Sequence, residues 1–200
     1  MKYLLGIGLI LFALVIFGGT FIPIIRQEID FRLNKYDSPQ EIKQVTPVDT
    51  DFGIMIPRIQ ANAKVIKDVD PFISTEYQVA LTRGVAHAKG SSLPGQPGNI
   101  FLFSHSAVDF LNATKYNSIF YLLTKLEKDD SIKLIYEEKE YDYSVIAKSI
   151  VNSDDIEYLT LEPTKEETLT LMTCWPPGTS LKRLIVQATR QLTQSENILY

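Results

Sequence analysis

Apolar and polar positions follow two regimes along this chain. Residues 3–25 (YLLGIGLILFALVIFGGTFIPII) carry no charge, with Lys2 just before them and Arg26 just after. As a helix rising about 1.5 Å per residue, this stretch covers the roughly 30 Å of a hydrocarbon layer with some tilt. It exceeds the apolar region of a signal peptide, and only Gly18-Gly19-Thr20 approximates a small-residue cleavage site. It is also too uniformly apolar for a core helix of a small domain. Residues 1–26 are therefore predicted to form an uncleaved N-terminal signal-anchor, a transmembrane helix. Lys2 on one flank and Arg26, Arg32 and Lys35 on the other give no orienting charge bias. Residues 27–51 are polar and interrupted by Pro39 and Pro47, the pattern of a stalk.

From Phe52 onward the pattern changes to short β-branched runs separated by turn residues. The runs are 52–57, 63–69, 79–87, 99–106, 131–151 (a hairpin turning near Glu138), 168–174 and 181–189, with a Gly-, Ser- and Pro-rich loop at 88–99. Such spacing predicts an all-β barrel or sandwich. One helix is predicted over 119–128, capped by Ser118, because Phe120, Leu123 and Leu126 recur at helical spacing. A further turn is expected after Pro163. Residues 52–190 read as one domain, followed by a C-terminal tail at 191–200.

Composition narrows the function classes. An apolar content of 45% and 21 aromatic residues in 200 (10 Tyr, 10 Phe, 1 Trp) suit one folded domain and exclude a disordered chain. A net charge of −4 disfavours a broad basic surface for nucleic acid. The one cysteine, Cys174, excludes an intrachain disulfide and a zinc site built on paired cysteines.

Cys174 ends the run TLTLMTC, where the turn Trp175-Pro176-Pro177-Gly178 begins. Free cysteines are commonly buried filler, but a strand end against a proline turn faces a loop. Arg183 lies nine residues on, in LKRLIVQA. On that strand Leu181, Arg183 and Ile185 share one face, so the guanidinium either meets an anion or reaches water at an edge. His105 and His87 also close apolar runs. Cysteine and histidine supply a nucleophile and an acid/base, and arginine a fixed positive charge where an oxyanion develops. A serine nucleophile at Ser104 or Ser106 paired with His105 is poorer, since adjacent strand residues point to opposite faces.

Two blocks carry a family resemblance. GVAHAKGSSLPGQPGNIFLFSHS (84–106) has a Gly-x-x-His, a Pro-Gly, a Gly-Asn and a terminal His-Ser. TLTLMTCWPPGTSLKRLIVQA (168–188) has a Thr-Leu-x-Thr-Cys followed by an arginine strand, and FYLLTKLEKDDSIKL (120–134) matches the connecting helix and turn. Over roughly 52–190 the chain resembles the sortases, membrane-anchored cysteine transpeptidases. The resemblance implies a closed eight-stranded β-barrel with one or two short helices, and no cofactor. Cys174 is then the nucleophile, His105 the acid and base, and Arg183 the oxyanion-stabilising or substrate-positioning residue. Thr173, Ser104 and His87 are substrate-binding or supporting residues.

The implied donors are secreted proteins with a C-terminal LPxTG-like sorting motif. The implied acceptor is an amine of a cell-wall precursor or a pilin lysine. The implied location is the cell membrane, single-pass, with the catalytic domain extracytoplasmic. Ser104 departs from the glycine common before the family's histidine, and Asp129-Asp130 stands where many members have Gly-Asp. The short interval from Cys174 to Arg183 points to a class D-like or class E-like member. No metal site is expected; acid pairs such as Asp129-Asp130 and Glu137-Glu138 are calcium candidates, but most such pairs are solvated turns. The rival classes are an envelope Cys-His peptidase or amidase releasing to water, and a non-catalytic anchored β-domain.

Overall fold

The computed structural model describes residues 6–12, 14, 15, 29, 46–106, 119–155 and 165–192. Eight strands close into a barrel: β1 (Phe52–Ile56), β2 (Ala61–Val69), β3 (Val85–Ala88), β4 (Gly98–Phe103), β5 (Ser131–Tyr136), β6 (Lys139–Asn152), β7 (Glu167–Trp175) and β8 (Lys182–Gln191). Their order around the barrel is β1-β2-β3-β4-β7-β8-β6-β5. β2 with β3 and β4 with β7 are parallel pairs, and every other pairing is antiparallel. The fold is thus the closed all-β barrel expected, and closure leaves no open sheet edge to cover.

Alternation along the strands divides the apolar residues between two cores. Ile100 and Leu102 of β4, Leu169 and Leu171 of β7, and Leu184 and Val186 of β8 point into the barrel. Phe101 and Phe103 point outward, where they pack with Val69, Leu81 and Ala86 beneath a helix at Ser74–Leu81. Each buried aliphatic or aromatic side chain stabilises the fold by about 1.5–3 kcal/mol. Both faces of β4 are therefore covered, and all of its residues are buried.

The helix Ser74–Leu81 corrects the strand expected over 79–87, because β3 begins only at Val85. This helix buries only Ala80 and Leu81, so it carries no apolar stripe to mark it in the sequence. Its entry is braced locally. The Asp70 N–H donates to Glu76 Oε1 (3.0 Å) and the Phe72 N–H donates to Asp70 Oδ1 (3.0 Å). Gly84 lets the chain leave the helix against β2, since a Cβ there would lie 2.2 Å from the Lys64 carbonyl oxygen. The parallel β2–β3 pairing needs this crossover.

The element expected over 119–128 is a 3₁₀ helix, Tyr121–Lys125, flanked by buried Phe120 and Leu126. A strict three-residue apolar spacing matches the 3.0-residue period of a 3₁₀ turn better than an α-helix. Ser118, Pro163 and Thr164 lie outside the described residues, as do most of the predicted anchor and stalk and positions 193–200; of the turn expected after Pro163, Lys165 and Glu166 form a bend and Glu167 opens β7. Residues 6–12, 14 and 15 are helical, and their large apolar side chains are exposed. Among the described residues no helix is long and apolar enough to cross a membrane.

Candidate active site

Three neighbouring strands set the site by parity. In the β7–β8 pair, Thr173 lies opposite Leu184 and Cys174 opposite Arg183. Leu184 faces the barrel interior, so Cys174 and Arg183 share its outer surface. Directly opposite residues hold their Cβ atoms about 5 Å apart. On the other flank of β7, the parallel register runs to Phe103 opposite Met172. It continues one step past β4, because the Ser104 N–H donates to the Met172 carbonyl (3.2 Å). The Thr173 hydroxyl then donates to the Ser104 carbonyl at 2.9 Å. Phe103 points outward, so His105, two residues on, lies on the same outer side as Cys174.

Cys174, His105 and Arg183 line one groove of about 450 Å³. Pro71, Phe72, Tyr77 and Leu81, with Phe103 and Met172, form an apolar wall; Ser153, Asp155, Ser180 and Arg183 form a polar one. Phe72 stands 74% exposed on the apolar side. Arg183 donates from Nη1 to the carbonyls of Ser180 (3.0 Å) and Lys182 (3.1 Å), which draws its guanidinium toward the turn after β7. The cysteine is half-buried and is not in a disulfide. Ser104 and Thr173 also border the groove, and the buried Ser104 hydroxyl has no hydrogen-bond partner among the described residues.

His87 does not line this groove. It is wholly buried beside Phe52, with ring centroids 5.7 Å apart. Its Nδ1 accepts from the Asp68 N–H (3.3 Å), and its Nε2 lies 3.0 Å from the Ser92 carbonyl and 2.9 Å from the Ser91 hydroxyl. A backbone N–H can only donate, so the proton sits on Nε2 and the ring is neutral. Burial pushes its pKa below the ordinary value, with the Ser92 carbonyl and the Asp68 carboxylate opposing that shift. The residue ties β3 to β2 and to the loop at 89–97. It is buried outside the groove lining.

Among the described residues no group of three or more His, Cys, Asp or Glu is assembled for a metal. Of the calcium candidates, Asp130 accepts from the Glu127 N–H and lies 3.4 Å from Arg58, while Asp129, Glu137 and Glu138 occupy positive-φ turn positions. Opposite the site side of β7, Glu167 is held by the Tyr143 hydroxyl, the Gly95 N–H (3.0 Å) and Arg190 (3.7 Å). That network fastens the 93–97 loop to the barrel. The burial of Tyr143 and its bond to Glu167 push the phenol's pKa far up.

The groove walls were not singled out in the sequence. An aromatic following the Asp70-Pro71 breaker pair is the one signal that marks Phe72 as displayed rather than packed. Ser153, Asp155 and Ser180 carry no such signal, because turn polarity is ordinary.

The family model described as the Sortase domain matches residues 54–191. Sortase D of Bacillus subtilis (strain 168) is 32% identical over 142 residues, covering 69% of this chain. The match spans 63% of that relative's own length. Sortase C-1 from Actinomyces oris superposes with a TM-score of 0.60 at 26% identity, over 73% of this chain and 76% of that one. A Clostridium perfringens Sortase D5 transpeptidase shares the fold at a TM-score of 0.58 and 19% identity, over 84% and 94% of the two chains.

Proposed function

The chain belongs to the sortase family, a family of cysteine transpeptidases, and from that premise we propose that it cleaves a C-terminal sorting motif and transfers the acyl group to an amine. The observation that carries this reading is the convergence of Cys174, His105 and Arg183 on one outer face at one groove. The Cys174 thiolate attacks the scissile carbonyl of an LPxTG-like motif, forming a C–S bond. Positive charge from Arg183 offsets the oxyanion that develops. His105, protonated, gives its proton to the leaving amine as the C–N bond breaks. The thioester keeps the acyl group activated without a nucleotide. An incoming amine then attacks the same carbon, passes its proton to His105, and the sulfur leaves as thiolate. Both groups return to their starting states.

A class D-like member is the reading that the similarity to Sortase D supports. The apolar residues 3–25, whose large side chains are exposed where described, support an N-terminal anchor; that the barrel lies outside the cytoplasm follows from the sortase reading alone. The donors are then secreted proteins, and the acceptor is a cell-wall precursor or a pilin amine.

The test uses full-length protein in detergent micelles with Leu-Pro-x-Thr-Gly-type peptides, with and without triglycine. The expected result is a thioester mass adduct on Cys174, a triglycine-extended product, and loss of both in Cys174→Ala. Cleavage to a free acid alone, with triglycine saturating, would instead identify an envelope hydrolase. No adduct and no cleavage with any peptide would leave a non-catalytic anchored domain.

A further inference from the structure

We propose that His87 and the bulged residue Asp68 form a proton-operated latch that holds the apolar wall of the groove in place; this rests on the sorting-peptide reading and adds a regulatory input to the same groove. Between Ile66 and Val69, three steps along β2 match two along β3, from Ala86 to Ala88, so β2 carries one extra residue opposite His87. Asp68 takes it up in the left-handed region (φ 57°), which a residue other than glycine holds only where its surroundings fix it. The fixing contact is the Asp68 N–H donating to His87 Nδ1 (3.3 Å). A bulge bends its strand and re-aims the side chains beyond it. Beyond this one, Val69 seats in the outer core with Phe101 and Phe103, and Pro71 and Phe72 line the groove.

The latch has two states because Nδ1 can accept or donate but not both. With a neutral ring, Nδ1 accepts from Asp68 while Nε2–H faces the Ser92 carbonyl (3.0 Å) and the Ser91 hydroxyl (2.9 Å). A proton added at Nδ1 sets two N–H donors against each other. The Asp68 amide then swings away, and the Asp68 carboxylate, 3.8 Å from Nδ1 and 61% exposed, takes the new N–H. Asp68 favours the charged ring and Lys67, also on β2, opposes it. Phe52 of β1, Leu102 of β4, and Ser91 and Ser92 of the following loop meet the ring with uncharged groups.

Burial disfavours the imidazolium, so the latch is closed at neutral pH. Acid opens it: the bulge relaxes about Val69, and Pro71 and Phe72 leave the positions that shape the wall. Donor peptide then binds less tightly. By reciprocity, bound donor makes His87 harder to protonate.

The experiment uses full-length Cys174→Ala in micelles, which binds a sorting-motif peptide without consuming it, labelled with nitrogen-15. The chain has two histidines, so the ring spectra contain two sets of signals, and His87→Gln identifies one. At neutral pH the His87 ring is expected as the Nε2–H tautomer. Between about pH 6.5 and pH 5, the Asp68 amide resonance is expected to move in step with the ring, and peptide affinity to fall about five- to tenfold. In the His87→Gln background that fall is expected to flatten, although His105 still titrates. Asp68→Asn keeps the amide donor and removes the carboxylate, so both transitions are expected about half a pH unit lower. An Asp68 amide that stays fixed while His87 titrates would overturn the latch, as would a ring that stays neutral until the protein unfolds in acid. An undiminished pH dependence of affinity in His87→Gln would also overturn it. A peptide that binds at no pH would remove the sorting-peptide reading, and the Asp68 amide would still decide for or against the latch.

Discussion

Replacing Thr173 by valine isolates the contact that links the histidine segment to the cysteine strand. β4 ends at Phe103, and two hydrogen bonds carry its register onward past Ser104: Ser104 N–H to Met172 O, and Thr173 Oγ1 to Ser104 O at 2.9 Å. Thr173 is 3% exposed, so water does not replace the lost donor. Valine keeps the branched shape and removes the hydroxyl, leaving a buried carbonyl without its partner. Stability is expected to fall by about 1–3 kcal/mol. For a chain of this size that is about 2–4 °C of melting temperature per kcal/mol. The larger effect is catalytic. Without the clamp, the segment after Ser104 loses one of the bonds that fix it relative to Cys174, and a misplacement near 1 Å costs up to about 100-fold in rate. The expected kcat/KM of Thr173→Val on a cleavable sorting peptide is about 10- to 100-fold below that of the unaltered protein. Thr173→Ser keeps the donor and should retain most of both quantities. The assay pairs thermal denaturation with initial rates at a temperature well below both transitions. A Thr173→Val protein that is destabilised yet turns over within twofold of normal would show that the clamp holds the barrel and does not set the active-site geometry.

Two further outcomes test the scaffold. Gly84→Ala is expected to destabilise by about 2–3 kcal/mol, because its Cβ meets the Lys64 carbonyl at 2.2 Å and backbone cannot yield cheaply; an unchanged melting temperature would refute the close β2–β3 approach. For His87, burial lowers the folded pKa below 6.5, so the unfolded chain takes up a proton first as the pH falls. Stability is therefore expected to be complete above about pH 6.5 and to decline as acid carries the pH toward the folded value. Urea denaturation from pH 7.5 to 5 should show that slope in the unaltered protein and a flatter one in His87→Gln, and equal slopes would refute a neutral buried imidazole.

How far the sequence discloses this site depends on which strands are covered on both faces. Cys174 and Arg183 were legible because each stands beside the same turn, and a tight antiparallel connection pairs residues by simple counting from its centre. The β5–β6 hairpin was legible for the same reason. His105 was harder. It joins the site through the parallel β4–β7 pairing, between segments some seventy residues apart, and local pattern cannot specify such a partner. The helix Ser74–Leu81 was missed because it lies on an already apolar outer face and contributes only two buried residues of its own.

The two histidines show the limit most sharply. Both end apolar runs, yet His87 follows the parity of inward-facing Val85, and His105 follows that of outward-facing Phe101 and Phe103. Ordinarily polar residues on one face reveal such parity. Here the outer face of β3 and β4 is roofed by the helix, so VAHA and GNIFLF are buried at every position and alternation vanishes from the composition. The roof that hides the parity also supplies the apolar wall of the groove. The segment that makes the site hard to read is thus the segment that gives Cys174 a surface against which a peptide can lie.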